Sequence, residues 1–130
     1  MTSQLSLRTL PPMANIQDVV TALAQHQGVE TAIVLGRDGL PIASRANNNG
    51  ADIDGVAALV PSVVDACRKL GVASNRGDFN ASVLDFGTGT AVVSSISNDS
   101  LLLVLVQAGT NVGALLHDIG RYRAAIAGLL

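Results

Sequence analysis

Residues 28–44 read GVETAIVLGRDGLPIAS. Thr31 to Leu35 is an apolar, partly β-branched run, and Leu40 to Ser44 is a second apolar stretch. Gly36-Arg37-Asp38-Gly39 separates them. An Asp-Gly pair between two such runs signals a hairpin, because both central residues of a type I′ turn take positive φ. The spacing predicts two consecutive antiparallel strands. Pro41 has no N–H to give to a ladder, which suits a strand at a sheet edge.

Upstream of this stretch, Asn15 is a helix cap with Asp18 three residues on. Ile16, Val19, Val20 and Leu23 follow at helical spacing, and Gly28 ends a helix over 15–27. Residues 1–14, which include Pro11-Pro12, are expected to be a flexible leader, and residues 15–130 one domain.

Downstream, Asn47-Asn48-Asn49-Gly50 is a polar loop, and a second helix is expected over 51–70. At about 100° per residue, Ile53, Val56, Ala57, Leu59, Val60, Val63, Val64, Ala66, Cys67 and Leu70 fill one half of its circumference. Asp54, Ser62, Asp65, Arg68 and Lys69 fill the other. An ordinary surface helix buries a stripe of about 100°. The wider stripe implies two buried faces, one on the helix's own sheet and one elsewhere. Pro61 is expected to kink this helix or to start its second half.

Three strands are expected next, over Asp78–Phe86, Thr90–Ile96 and Leu101–Gln107, joined by turns at Gly87-Thr88-Gly89 and Asn98-Asp99. The last is apolar on both faces and belongs at the sheet centre. Thr110 or Asn111 caps a final helix to about Ala127, with Val112, Leu115, Leu116, Ile119, Tyr122 and Ile126 inward. The order α-β-β-α-β-β-β-α is an α+β class: a five-stranded, mainly antiparallel sheet with helices on both faces.

Composition narrows the function. The chain has 130 residues and a formal charge of −2, with 48% apolar and 14% charged residues. Its one lysine, Lys69, and the acidic balance leave no basic face for a phosphate backbone, so nucleic acid is not an expected partner. The longest apolar run, Leu101 to Val106, is far short of the roughly twenty residues that span a bilayer. The N-terminal stretch has no basic segment followed by a long apolar one, so no signal peptide is expected. The single cysteine, Cys67, fits a reducing, cytoplasmic setting.

Motifs for chemistry are absent. Gly87-Thr88-Gly89 lacks the third glycine of a dinucleotide loop and joins two strands. His26, His117 and Cys67 fall on three different helices, none within ligand spacing of another. His117 and Asp118 are adjacent on a helix and point in different directions. Asp52 and Asp54 are first-turn acids, and Asp78 and Asp85 flank a strand. Arg68, Lys69 and Arg76 surround the end of the second helix, where the dipole favours cations; the other reading is a rim contact to an acidic partner. No catalytic residue, metal or cofactor is expected, and the chain does not read as an enzyme. What remains is the doubled apolar face of the second helix beside an edge strand, the signature of a two-fold dimer.

These phrases resemble one family. The pattern of residues 28–44, the small-residue helix IDGVAALVPSVVDACRKLG, the run LDFGTGTAVVSSISNDSLLLVLVQAG and the closing NVGALLHDIGRYRAAI look like a Roadblock-type domain, a fold related to profilin, and within it the bacterial MglB-like group. The resemblance implies a homodimer in which the strand after the second helix pairs across the two-fold. That strand corresponds to Phe79, Asn80, Ala81, Ser82, Val83 and Leu84. It implies a paired-helix face of Val56, Leu59, Val60, Val63 and Cys67. It further implies a side that binds a Ras-like small GTPase through Asp54, Ser62, Asp65, Arg68 and Lys69. MglB-like proteins act on GTP hydrolysis or serve as effector platforms. Other members are adaptors that tether proteins without altering hydrolysis, which is the alternative reading for this chain.

Overall fold

The computed structural model describes residues 14–47 and 52–130. The leader expected over 1–14, Ala14 apart, and the loop residues 48–50 lie outside the described residues. The elements are α1 (Ile16–Ala24), β1 (Val29–Gly36), β2 (Pro41–Ala46), α2 (Ile53–Ala73), β3 (Ala81–Phe86), β4 (Gly89–Ser95), β5 (Ser100–Gln107) and α3 (Val112–Gly128). Their order is the expected one.

Local chemistry sets the ends of these elements. The Asn15 side chain accepts the Asp18 N–H at 3.0 Å, and the Asp18 carboxylate accepts the Ala14 N–H at 2.9 Å. The first bond satisfies an amide that the first helical turn leaves open, and the second ties the residue before the cap back to that turn. The Asn111 side chain caps α3 by accepting from Ala114 N–H at 3.1 Å, while Thr110 Oγ1 donates to the Gln107 carbonyl instead. Asp52 caps α2 through Gly55 N–H at 3.2 Å.

Three local expectations are corrected. First, the β1–β2 turn is not type I′: Gly39 alone has positive φ, at 85°, and neither Arg37 nor Asp38 does. Gly39 N–H bonds the Gly36 carbonyl at 3.0 Å, and Asp38 Oδ1 accepts from Leu40 N–H at 3.0 Å. This is a tight turn followed by one left-handed glycine. Second, of the two readings of Pro61 the start of a second half is excluded: α2 is one helix from Ile53 to Ala73, although proline offers no N–H to the Ala57 carbonyl. Pro61 lies against the Gly39 turn. Third, α2 continues past Leu70, because Gly71 is a point of close approach and not a stop: a Cβ there would strike the Gly77 carbonyl. The helix ends at a left-handed Asn75, with Arg76 N–H on the Gly71 carbonyl at 2.8 Å and Asn75 N–H on that of Val72 at 3.1 Å.

The sheet order is β2-β1-β5-β4-β3, antiparallel throughout. β5 is central and β2, with its Pro41, is an edge, both as the sequence implied. β3 is the other edge. Strand alternation sorts the apolar residues onto two faces. Ala32, Val34, Val92, Leu102 and Val104 pack under α1 and α3 with Val20, Leu23, Ile119 and Ile126. Ile33, Leu35, Val93, Leu101 and Leu103 pack under α2 with Ala57, Val60 and Val64. One helix on this second face cannot cover five strands: Leu105 in the central strand and Leu84 in β3 remain only half-buried there. Among the described residues no helix is long and apolar enough to cross a membrane.

Candidate interaction surface

The α2 helix presents three distinct surfaces. Ala57, Val60 and Val64 face the sheet and are buried. Val60 is only 4% exposed, so its side chain belongs to the protomer's own core and is withdrawn from the expected partner face. One flank is apolar: Val56, Leu59, Val63, Ala66 and Leu70 recur at alternating steps of three and four, the seam spacing of helices that pair lengthwise. Leu59 is 70% exposed and Leu70 67%, while Val56, Val63 and Cys67 are half-buried beside them. Leu59 and Leu70 stand about three helical turns apart with exposed Ala66 between them, which makes this flank a candidate interaction surface. The half-bare sheet face with Leu84 and Leu105 adds to it.

The opposite flank is polar. Asp54, Ser62, Asp65 and Lys69 are exposed and Arg68 is half-buried. All five fall within roughly 120° of the helix axis, since successive residues advance about 100°. Asp65 and Lys69 pair at 3.1 Å, an i,i+4 contact in open solvent worth a few tenths of a kcal/mol at most. Arg68 has no ion pair or side-chain hydrogen bond among the described residues.

The edge strand β3 completes the surface. Ala81, Ser82, Val83 and Leu84 lie in it, with Val83 and Ala81 exposed on the α3 side. Phe79 and Asn80 precede the strand. The Asn80 carbonyl accepts from Ser95 N–H at 3.0 Å and from Ser94 Oγ at 3.2 Å, which ties this entry to the end of β4. Among the described residues the outer side of β3 has no neighbouring strand.

The residues screened for chemistry do not converge on an active site. Among the described residues no three His, Cys, Asp or Glu side chains form a metal-binding group. His117 is exposed, and Cys67 is half-buried on α2. Asp118 meets His26 rather than its sequence neighbour His117. The His26 Nε2 stands 3.4 Å from its Oδ2, with Arg121 Nη1 3.8 Å from Oδ1. Asp118 is 1% exposed and neither carboxylate oxygen has a hydrogen bond. Sequence reading missed this group, although its place between Leu115 and Tyr122 on the inward face of α3 is visible in the helical spacing. Burial raises the Tyr122 pKa above the usual tyrosine value, and the nearby Asp118 charge adds to the shift against a smaller opposing effect of Arg121.

Comparison with known proteins agrees with this architecture. The Roadblock/LC7 domain model matches residues 15–106. A Roadblock/LC7 domain from Streptomyces avermitilis superposes with a TM-score of 0.79 at 19% identity, covering 88% of this chain and 97% of that one. MglB from Myxococcus xanthus gives 0.79 at 15% identity, covering 91% and 96%. Profilin II from Acanthamoeba castellanii gives 0.63 at 13% identity, covering 88% and 98%, so the sheet and its helices extend to the profilin fold. Comparison with curated proteins finds no match. With the matched segment reaching from the cap of α1 almost to the end of β5, the chain belongs to the Roadblock/LC7 domain family.

Proposed function

We propose that this protein is a homodimer that regulates a Ras-like small GTPase and carries out no chemistry of its own. The observation that supports this most is the bare seam of α2, Leu59 to Leu70, lying beside the unpaired edge β3. Two copies related by a two-fold axis pair β3 with β3, through Ala81 to Leu84, and continue the sheet. Their α2 seams then cover each other and the half-bare sheet face, with Val56, Leu59, Val63 and Cys67 at the contact. A reducing cytoplasm keeps Cys67 as a thiol in that seam. Asp54, Ser62, Asp65, Arg68 and Lys69 point away from the seam, toward the GTPase. Membership of the Roadblock/LC7 family and likeness to MglB direct the choice of a GTPase as partner.

The test is single-turnover GTP hydrolysis by a Ras-like GTPase encoded in the same genome, with and without this protein. Acceleration that is lost on substituting the polar flank of α2 is the expected result. A complex with the GTP-bound form but no acceleration makes the dimer an effector platform or adaptor. No binding to either nucleotide state overturns the GTPase reading.

A further inference from the structure

The fold gathers three arginines that are far apart in sequence. Arg68, on the polar flank of α2, is the shared wall of two adjoining hollows at one end of the sheet. The smaller, about 190 Å³, has Arg37 of the β1–β2 turn on its other side, with Pro61 and Leu101. The larger, about 490 Å³, has Arg123 of α3, with Phe79, Asn80 and Asn98. Arg123 is held in place: its Nε donates to the Ser95 carbonyl at 2.9 Å and its Nη2 to the buried Ser94 Oγ at 2.8 Å. Those bonds use two of five guanidinium donors and leave others for the hollow. Arg68 and Arg37 have no side-chain acceptor among the described residues.

Guanidiniums sharing a small space repel, and a half-desolvated one without an acceptor is costly. The two acids that line these hollows compensate in part: Asp65 is already paired with Lys69, and Asp78 is exposed. The local balance is therefore positive on a chain whose formal charge is −2. Apolar side chains line both hollows beside the arginines, Pro61 and Leu101 in one and Val72 and Phe79 in the other. A bare inorganic anion has no use for these. A polypeptide carrying carboxylates satisfies both, with side-chain oxygens on the arginines and its chain over the apolar floor.

We propose that the Arg37–Arg68–Arg123 groove is a docking site for an acidic segment of a partner protein. The inference does not depend on that partner being a GTPase. It is tested with the full chain and a fluorescein-labelled hexaglutamate peptide, by anisotropy at low salt, with no GTPase present. The wild-type protein binds the peptide. Arg68→Gln weakens binding at least about tenfold, the scale of one charge-assisted contact, and Arg37→Gln weakens it as well. Arg45→Gln, which removes the same charge from β2 on the far side of the hairpin from its turn, leaves binding unchanged. Circular dichroism establishes that each variant is folded. Absence of peptide binding overturns the proposal, as does equal weakening by Arg45→Gln, which means general electrostatics. Displacement of the peptide by millimolar inorganic phosphate also overturns it, in favour of a small-anion site.

Discussion

The Nε2 of His26 lies 3.4 Å from Oδ2 of Asp118, across the space between the end of α1 and the inward face of α3. This contact and Arg121 Nη1 at 3.8 Å are close polar neighbours of a carboxyl group that is 1% exposed and has no hydrogen bond among the described residues. Removing one partner of a buried pair costs more than replacing both with apolar groups. We expect His26→Ala to destabilise the protein by about 1–3 kcal/mol. Adding Asp118→Leu recovers most of that loss, because the uncompensated charge is gone. Urea unfolding of the two variants measures this. A neutral His26→Ala would show that Arg121 alone satisfies the carboxylate.

The seam of α2 predicts a change of assembly with little change in the protomer. Leu59→Glu and Leu70→Glu replace side chains that are 70% and 67% exposed in the single chain, so each costs the protomer's fold within about 0.5 kcal/mol. In the dimer each places a charge in an apolar contact. Light scattering after size-exclusion chromatography is expected to show dimer for the wild type and monomer for the double variant. A double variant that remains dimeric places the interface elsewhere.

Tyr122 predicts an alkaline limit to stability. Its raised pKa means that the folded state holds the phenolic proton above the ordinary value of 10.0, where the unfolded chain has lost it. This contribution is complete below about pH 10 and is lost as pH rises through the folded value. Tyr122→Phe has no proton to lose. The urea midpoint of the wild type is expected to fall more steeply as pH rises above about 10 than that of Tyr122→Phe. Parallel curves would contradict the assignment. Because this is the only tyrosine and tryptophan is absent, phenolate absorbance follows its titration directly.

Gly39 and Gly77 separate two costs. Both have positive φ, 85° and 90°. A Cβ on Gly39 comes 3.2 Å from the Cα of Ala58, whereas nothing lies within 4 Å of one on Gly77. Gly77→Ala is expected to cost about 1 kcal/mol, the backbone strain alone. Gly39→Ala costs more, since the turn is also pushed off α2. Equal losses in chemical denaturation would mean that the hairpin and α2 yield to each other without penalty.

How much of this was legible beforehand depends on range. The cap at Asn15, the hairpin of residues 28–44 and the central place of Leu101–Gln107 depend on neighbours a few residues away or on burial of both strand faces, and they could be read directly; the cap of α3 could be narrowed only to Thr110 or Asn111. The end of α2 could not: Gly71 looks like a stop until Gly77 is folded back onto it. The type of the β1–β2 turn likewise rests on how Gly39 meets Ala58 and Pro61, a contact between distant elements.

The sequence by itself determined the element order, the two-faced apolar pattern of α2 and the lack of motifs for catalysis, because helix and strand periodicity, capping and turn chemistry are local. Only the tertiary structure decided which residues of α2 are available. Val60 and Leu59 are adjacent and both apolar, yet one is in the core and the other bare, because a single sheet can cover one face of a helix. Tertiary structure alone also brought His26 to Asp118 and set Arg37 and Arg123 on either side of Arg68. Each of these residues sits in an unremarkable local context. Their meeting depends on where the antiparallel order β2-β1-β5-β4-β3 places turns and helix ends, and no local pattern encodes that.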